Sequence, residues 1–281
     1  MSIPDSIISH LGSKGYLISK QTFVAGGDIN YAQKVETEDG KVYFVKYNNS
    51  PSAEAIISSE IKGLQLLAHH AVNVPQVYAY HHQQEYAYVL MEWVAPGLRD
   101  NHTLAQALVK IHKITAENFG LDHDNYIGTL PQRNTNYHNF SEYYISTSIE
   151  PQVRLSYDLG LRLQVNLDLF QQVLSDLIPI EQPALLHGDL WSGNLIDSEK
   201  GPIFIDPSVS YGHREMDLAM MRLFGGFDNE VFGMYNELFP LHKNWTSRAD
   251  LFQLYYLLVH LNIFGRQYLG SVKQILEKYL L

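Results

Sequence analysis

Short apolar runs dominate the first 96 residues of this 281-residue chain. Stretches rich in β-branched and aromatic residues, bounded by Gly, Pro, Asn or Asp, are typical of strands. Five such stretches predict strands at Thr22–Ala25, Ala32–Val35, Val42–Tyr47, Gln76–Tyr80 and Tyr86–Val94. Between the third and the fourth, an apolar stripe at helical spacing predicts one helix that starts at Ser50-Pro51 and carries Ile57, Ile61, Leu64 and Ala68.

Helical spacing dominates the chain after Ala95-Pro96-Gly97. Only one strand pair is predicted there, Asn194–Ile196 with Ile203–Ile205. The helices predicted are one marked by Leu104, Leu108, Ile111 and Thr115, two between Phe140 and Ile180, and one from Arg248 to Tyr268.

These patterns predict an α+β fold with two lobes. Residues 1–96 would form a small β-rich lobe, and residues 97–281 a larger, mainly helical lobe. Nucleotide-binding clefts often lie between two such units. We therefore expect the first lobe to bind a nucleotide and the second to carry the catalytic and substrate-binding residues.

Composition narrows the function classes. With 46% hydrophobic and 18% charged residues the chain has an ordinary globular balance. Its net charge is −10 and it has no run of Lys or Arg, so we expect neither nucleic acid nor an anionic membrane as a partner. The absence of Cys excludes disulfides, thiolate nucleophiles and Cys-based zinc sites.

Met1–Gly15 lacks the pattern of a signal peptide, and the longest uncharged apolar stretch, Leu251–Gly265, is too short and polar to span a bilayer, so we expect a cytoplasmic protein.

The densest chemical motif is the run from His187 to Asn194, which reads HGDLWSGN. Asp189 and Asn194 have the Asp-x4-Asn spacing of a kinase catalytic loop, and Asp206 follows at the end of an apolar strand. In phosphoryl transfer from ATP, such a loop Asp accepts the proton of the attacking hydroxyl, while the Asn and the second Asp hold Mg²⁺. Taken alone, Asp189 and Asn194 could be ordinary turn residues. The strand pair between Asn194 and Asp206 favours the catalytic interpretation.

Lys46 and Glu60 are candidates for a phosphate-binding ion pair. Lys46 closes an apolar strand face, where an unpaired ammonium group is costly. Glu60 lies on the following helix and is its natural partner, as in the kinase template. The alternative is a Lys46 side chain that reaches solvent.

Two further segments could contact a nucleotide. Gly26 and Gly27 lie between the first two strands, where a phosphate-covering loop belongs, although a hairpin turn explains them equally well. Glu92, Trp93 and Val94 precede the linker between the lobes, where backbone groups could meet adenine. The alternative there is an edge strand followed by a linker.

The segment after Asp206 is short. About eight residues separate Asp206 from a helix near Glu215, which leaves no room for a long activation segment that grips a peptide. The spacing therefore favours a kinase for a small molecule.

The chain resembles the fructosamine kinase (ketosamine-3-kinase) family. The resemblance rests on His187–Asn194, Ile205-Asp206-Pro207, the run from Tyr211 to Met220 (YGHREMDLAM) and the run from Leu223 to Phe227 (LFGGF). It implies a protein-kinase-like fold of the aminoglycoside-phosphotransferase superfamily. It also implies ATP-dependent phosphorylation of the sugar 3-hydroxyl of ketosamines, such as fructosyl- or ribulosyl-lysine on glycated amines and proteins.

By motif position, the resemblance implies roles for individual residues. Asp189 would accept the proton, Asn194 and Asp206 would bind Mg²⁺, and Lys46 with Glu60 would grip the phosphates of ATP. The segment Glu92–Val94 would be the adenine hinge, and Asp217, with His187, would support the catalytic loop. Candidates for the sugar pocket are Trp191, His213 and His260, each with ordinary side-chain packing as the alternative.

Departures from the family pattern leave the acceptor open. Phe140 and Ser148 stand where many relatives have Trp and Arg, in a helix that the resemblance places beside the acceptor. Asp28 stands where many relatives have Cys, which excludes thiol-based redox switching of that loop. The remaining hypotheses are a kinase for another hydroxylated amine, such as an aminoglycoside, choline or homoserine, and a non-catalytic ATP-binding pseudokinase. The oligomeric state is left open, with a monomer favoured.

Overall fold

The N-terminal region forms a five-stranded antiparallel sheet with strand order β1-β2-β3-β5-β4. The structure is a computed structural model that describes residues 2–25, 30–83 and 86–280. The strands are β1 (Ile18–Phe23), β2 (Tyr31–Thr37), β3 (Val42–Asn48), β4 (Val77–Gln83) and β5 (Tyr86–Glu92). All five predicted strands are therefore present, with shifted ends.

Two helices cover opposite faces of this sheet. Helix α1 (Asp5–Ser13) packs its Ile7 and Leu11 in the cluster that contains Tyr88 and Leu90 of β5. Helix α2 (Ala53–His69) packs in the cluster that contains the alternate β5 residues Ala87, Val89 and Met91. Because successive strand residues point to opposite faces, β5 is buried on both sides and reads as a continuous apolar run.

Helix α2 starts about two residues later than predicted from Ser50-Pro51. Ser50 and Pro51 form a turn in which the Ala53 N–H donates to the Ser50 carbonyl at 3.0 Å, and Ser52 is the N-cap residue. Three members of the predicted apolar stripe, Ile57, Ile61 and Leu64, are buried, whereas the fourth, Ala68 near the end of the helix, is exposed.

Helices dominate the C-terminal region. Helix α9 is surrounded by other elements, and its residues from Leu254 to Val259 are all buried, so it shows no polar face. Within the described parts of the chain, no helix is both long and apolar enough to cross a membrane. The helices are α3 (Asn101–His112), α4 (Phe140–Tyr143), a π-helical turn (Tyr144–Ile149), α5 (Glu150–Asp158), α6 (Leu167–Leu177), α7 (Glu215–Leu223), α8 (Asn229–Leu238), α9 (Trp245–Phe264) and α10 (Leu269–Leu280).

Three short antiparallel strand pairs lie among these helices, where the sequence predicted one. The predicted pair is β9 (Leu195–Ser198) with β10 (Gly201–Phe204). The pairs that were missed are β6 (Asn125–Ile127) with β7 (Leu130–Gln132), and β8 (Ala184–Leu186) with β11 (Ser210–Gly212). Strands of three residues are too short to display an alternating pattern.

Candidate active site

A cavity of about 690 Å³ lies between the N-terminal sheet and the C-terminal helices. Its lining comes from both regions and from the segment that joins them. From the sheet and its following segment come Ala32, Phe44, Lys46, Met91, Glu92, Trp93, Val94 and Pro96. From the C-terminal region come Asp189, Trp191, Asn194, Ile196, Ile205, Asp206, Phe224 and His260. The cavity therefore gathers most of the predicted site residues.

Lys46 joins two carboxylates at the centre of the cavity. Its Nζ lies 2.8 Å from Glu60 Oε2 and 2.6 Å from Asp206 Oδ1. The Lys46 and Glu60 side chains are only 6% and 7% exposed, whereas that of Asp206 is 39% exposed. Lys46 is thus paired rather than solvent-directed, and Asp206 is the member of this ion network that is open to the cavity.

Burial and charge act against each other in this ion network. Burial alone would lower the pKa of Lys46, but the carboxylates of Asp206 and Glu60 outweigh it and raise that pKa. Burial, reinforced by the Asp206 carboxylate, raises the pKa of Glu60. For Asp206, burial is outweighed by Lys46, which lowers its pKa. The Lys46 ammonium group therefore stabilises the charged form of Asp206.

Asp189 and Asn194 are held together by the loop that follows β8. The Asn194 Nδ2 group donates to the Asp189 carbonyl at 2.9 Å and to Asp189 Oδ2 at 3.1 Å. Burial, and then the nearby Asp206 charge, raise the pKa of Asp189 to about 7, while the Asn194 hydrogen bond partly offsets them. Because the amide nitrogen of Asn194 is used by Asp189, its Oδ1 is left as an acceptor.

The β9–β10 hairpin brings Asn194 and Asp206 to neighbouring positions, as the sequence predicted. Asn194 immediately precedes β9, and Asp206 is the second residue after β10. The Ile205 N–H donates to the Asn194 carbonyl at 3.1 Å. Asp206 itself has a φ of +53°, a left-handed conformation that is uncommon outside Gly, although Asn and Asp adopt it more often than most residues. Such backbone geometry persists only where surrounding contacts impose it.

Asp217, on α7, braces the backbone of the catalytic loop. Its Oδ2 accepts from the His187 N–H at 2.8 Å, and its Oδ1 accepts from the Gly188 N–H at 2.9 Å. His112 Nε2 lies 3.3 Å from the same carboxylate, and its Nδ1 lies 2.8 Å from the Tyr235 hydroxyl. The carboxylate is fully buried, yet hydrogen bonding to His112 and the loop outweighs burial and lowers its pKa.

The predicted His187 supports the loop with its side chain. Its Nε2 is 2.9 Å from the Ile205 carbonyl, and its Nδ1 accepts from the Asp189 N–H at 3.3 Å. His187 therefore connects the residues that flank Asp189 and Asp206. His112 was not predicted, because no local motif marks it and its partner Asp217 lies 105 positions away in the chain.

Gly188 is required by the shape of the loop. Its φ is +84°, and a Cβ placed there would lie 1.8 Å from the Ser208 carbonyl oxygen. Only glycine permits both the conformation and the close approach. The short segment after Asp206 is thereby packed directly against the catalytic loop, where the Ser208 N–H also donates to the His187 carbonyl at 2.8 Å.

The joining segment is tied to the β9–β10 hairpin. The Gly97 N–H donates to the Asp197 carbonyl at 2.6 Å, and Glu92 Oε1 pairs with Lys200 Nζ at 3.0 Å. Arg99, which was not predicted, pairs with Asp197 at 2.9 Å and lies 5.0 Å from the centre of the Phe227 ring. The hairpin between Asn194 and Asp206 is thus fixed to the segment that joins the two regions.

Five aromatic side chains from the C-terminal region line the cavity. Trp191 and His260, both predicted, line it together with three rings that were not predicted, those of Phe224, Phe264 and Tyr268. His260 lies with its ring centre 4.5 Å from that of Phe224 and 5.2 Å from that of Tyr268. We call these five side chains the aromatic wall.

His213 is not part of this wall, contrary to the substrate role considered from the sequence. Its side chain is fully buried, stacks on Phe252 at 5.3 Å between ring centres, and has its Nε2 3.2 Å from the Pro179 carbonyl. Phe140 and Ser148 are also buried in the core, away from the cavity lining. These two departures from the family pattern therefore act on the helical core rather than directly on a bound acceptor.

Gly26, Gly27 and Asp28 lie outside the described residues. The predicted phosphate-covering loop is therefore placed by the sequence alone.

Comparison with known proteins identifies the class and then the family. The crystal structure of the ADP-bound aminoglycoside phosphotransferase APH(2'')-Ib superposes with a TM-score of 0.64 over 98% of this chain and 97% of that one. At 13% identity this similarity shows the fold alone, which is protein-kinase-like. The family model for fructosamine kinase matches residues 2–281, so the chain belongs to the fructosamine kinase family.

Individual relatives agree with this assignment. A protein of Enterococcus faecium named a probable ketoamine kinase is 40% identical over 98% of this chain and 99% of its own length. A crystal structure from Thermobifida fusca, whose name assigns it to the fructosamine-3-kinases, has a TM-score of 0.85 at 31% identity and covers 99% of both chains. The resemblance inferred from the motifs is confirmed.

Proposed function

We propose that this protein transfers the γ-phosphoryl group of ATP to the sugar 3-hydroxyl of a ketosamine, such as a fructosyl- or ribulosyl-amine. The observation that carries the proposal is the convergence of Lys46, Glu60, Asp189, Asn194 and Asp206 on one cavity in a member of the fructosamine kinase family. Residues 1–96 act as the nucleotide-binding lobe and residues 97–281 as the catalytic lobe. The phosphorylated ketosamine is unstable, and its decay frees the amine.

The nucleotide occupies the hinge side of the cavity. Ala32, Phe44, Met91 and Ile196 offer apolar surface to the adenine ring there, and the backbone of Glu92–Val94 offers hydrogen-bonding groups. Lys46, fixed by Glu60, binds phosphate oxygens, as an ammonium group held in an ion pair is suited to do.

The oxygen donors of Asn194 and Asp206 fit Mg²⁺. Asn194 Oδ1 is free of the amide contact with Asp189, and the Asp206 carboxylate is open to the cavity. Hard oxygen ligands of this kind, together with phosphate oxygens, are those that Mg²⁺ prefers. Bound there, Mg²⁺ would neutralise charge on the phosphates of ATP.

Asp189 is the group that receives the proton. The acceptor oxygen forms a bond to the γ-phosphorus as the bond from that phosphorus to the bridging oxygen of ADP breaks, and the hydroxyl proton passes to Asp189. Its pKa, raised to about 7 by burial and Asp206, suits a group that takes up a proton during turnover. The aromatic wall offers flat apolar surface to the sugar on the other side.

The test is release of ADP from ATP and Mg²⁺ with a panel of ketosamines. The proposal expects turnover with at least one fructosyl- or ribulosyl-amine and loss of turnover in Asp189→Ala with little loss of ATP affinity. A positioned base typically contributes about 10²–10⁴-fold, so retention of more than ~1% of the rate would exclude the role of Asp189. Turnover only with an aminoglycoside, choline or homoserine would overturn the acceptor assignment, and Mg·ATP binding without turnover on any acceptor would indicate a pseudokinase.

A further inference from the structure

The β6–β7 hairpin lies between α2, which carries Glu60, and the segment that follows Asp206. On the α2 side, the Tyr126 N–H donates to the hydroxyl of Ser59 at 3.2 Å. Ser59 directly precedes Glu60 in the chain. The hairpin is therefore attached to α2 at the position next to the carboxylate that pairs with Lys46.

The same hairpin is attached to residues 207–209 by two buried hydrogen bonds. Asn125 Nδ2 donates to the Val209 carbonyl at 2.7 Å, and the Ser208 hydroxyl donates to Gln132 Oε1 at 2.8 Å. Asn125, Ser208 and Gln132 are 2%, 3% and 6% exposed. Leaving such buried groups without partners is costly, so these bonds fix the position of the hairpin.

Two further contacts close the arrangement. A Cβ at Gly63 of α2 would lie 3.0 Å from Pro207 Cγ, so the helix and the residue after Asp206 are already in close contact. Asn134 Nδ2 donates to Asn125 Oδ1 at 2.8 Å and so orients the amide that binds Val209. The helix, the hairpin and residues 207–209 therefore contact one another on three sides.

We propose that the β6–β7 hairpin is a latch that holds α2 and Asp206 at a fixed separation, so that the Lys46 ion network is assembled before a nucleotide binds. Its positioning residues are Ser59, Asn125, Gln132 and Ser208, which act through Glu60 and Asp206. In kinase folds the pairing of this Lys and Glu depends on the placement of the helix, which a mobile activation segment can control. In this protein the hydrogen bonds of the hairpin place the helix instead. Only eight residues, 207–214, separate Asp206 from α7, so a long activation segment is not available for this task. The latch concerns nucleotide binding and does not depend on which acceptor the enzyme uses.

The test breaks the hydrogen bond between Ser208 and Gln132 in two variants, each of which removes one of the two partners. Neither Gln132 nor Ser208 lines the cavity, so Gln132→Ala and Ser208→Ala leave its surface unchanged. The matched control is Ser156→Ala, because Ser156 is also fully buried and loses one hydrogen bond, to the Val153 carbonyl of α5. Titration with a non-hydrolysable ATP analogue in Mg²⁺ measures affinity, and hydrogen exchange measures opening of residues 53–69 in the nucleotide-free protein.

Both latch variants are expected to bind the analogue about fivefold more weakly and to exchange faster in α2, while the control matches the wild type in both measurements. In steady-state assays the KM for ATP should rise and the KM for the acceptor should stay constant. Wild-type affinity and exchange in both latch variants would overturn the proposal. So would an equal loss of affinity in Ser156→Ala, because the effect would then be one of general stability. Since binding and exchange need no acceptor, failure of the latch is distinguishable from failure of the proposed reaction.

Discussion

Replacing Asp217 by Asn tests how far one buried carboxylate determines the geometry of the catalytic loop. The carboxylate accepts from His187 and Gly188 at 2.8 and 2.9 Å and contacts His112 at 3.3 Å. An amide of the same shape has one acceptor oxygen, so however it is turned its NH₂ group faces at least one N–H donor. We expect Asp217→Asn to leave at least one of these groups unpaired.

The expected cost follows from the burial of the site. A buried hydrogen-bonding group left unpaired costs about 1–3 kcal/mol, and loss of the charge adds to this, so we expect the free energy of unfolding to fall by about 2–3 kcal/mol. In a chain of this size that corresponds to a decrease in Tm of roughly 4–10 °C. Because Asp189 follows directly after the two braced residues, we expect kcat to fall at least ~10-fold with a smaller change in the KM for ATP.

The pH dependence gives an independent check. The folded pKa of Asp217 is lowered, so its stabilising contribution is complete above its unfolded pKa of about 3.9 and is lost as the pH falls through the folded pKa. The difference in unfolding free energy between wild type and variant should therefore be constant near neutral pH and shrink in acid. The control is Asp176→Asn at an exposed position of α6, expected to change stability by less than about 0.5 kcal/mol. If denaturant unfolding shows a similarly small loss for Asp217→Asn, or if its kcat equals that of the wild type, the bracing role is refuted.

Three further substitutions test other parts of the site. Lys46→Met leaves Glu60 and Asp206 without their shared cation, so we expect turnover to fall at least ~100-fold and the affinity for an ATP analogue to weaken. Wild-type turnover of this variant in a coupled ADP assay would contradict a role of Lys46 in phosphate binding. Gly188→Ala should lower Tm far more than Gly15→Ala. Both glycines have positive φ, but only at Gly188 would an added Cβ meet a carbonyl oxygen, at 1.8 Å. Equal decreases in Tm would show that backbone strain alone matters. Arg99→Ala should raise the KM for ATP by disturbing the hinge and lower the free energy of unfolding by about 1 kcal/mol. The control Arg154→Ala breaks an exposed pair with Glu150 and should change neither quantity. If steady-state kinetics and denaturant unfolding give the same result for both variants, the hinge role of Arg99 is rejected.

The sequence predicted the parts of the site that lie on long regular elements or in dense motifs. Lys46 stood out because it closes an apolar strand, Glu60 because it follows on a helix beside the apolar stripe, and Asp206 because an apolar strand ends there. The pairing of Lys46 with Glu60 was predicted, because the strand and the helix that carry them follow one another in the chain. The contact of Lys46 with Asp206 joins the two regions of the chain and was not predicted.

The remainder depends on contacts between distant segments. The β6–β7 hairpin is only three residues long on each strand and is held by residues more than 60 positions away, such as Ser59 and Ser208. The placement of His213 in the core could not be predicted either, because a His in a motif can serve packing or chemistry. Only the contacts of His213 with the Phe140 and Phe252 rings show that it is packed in the core.

The most direct test of the proposed activity is identification of the phosphorylated product. Fructosyl-lysine and ribulosyl-lysine are incubated with ATP, Mg²⁺ and either the wild-type enzyme or Asp189→Ala, and the products are followed by mass spectrometry and ³¹P NMR. The account predicts that the wild type gives one new phosphate ester on the sugar O3 of at least one substrate, in equal amount to ADP, followed by release of lysine, and that the variant gives none. ADP formed without a phosphorylated sugar, or a phosphate on another hydroxyl, would contradict it.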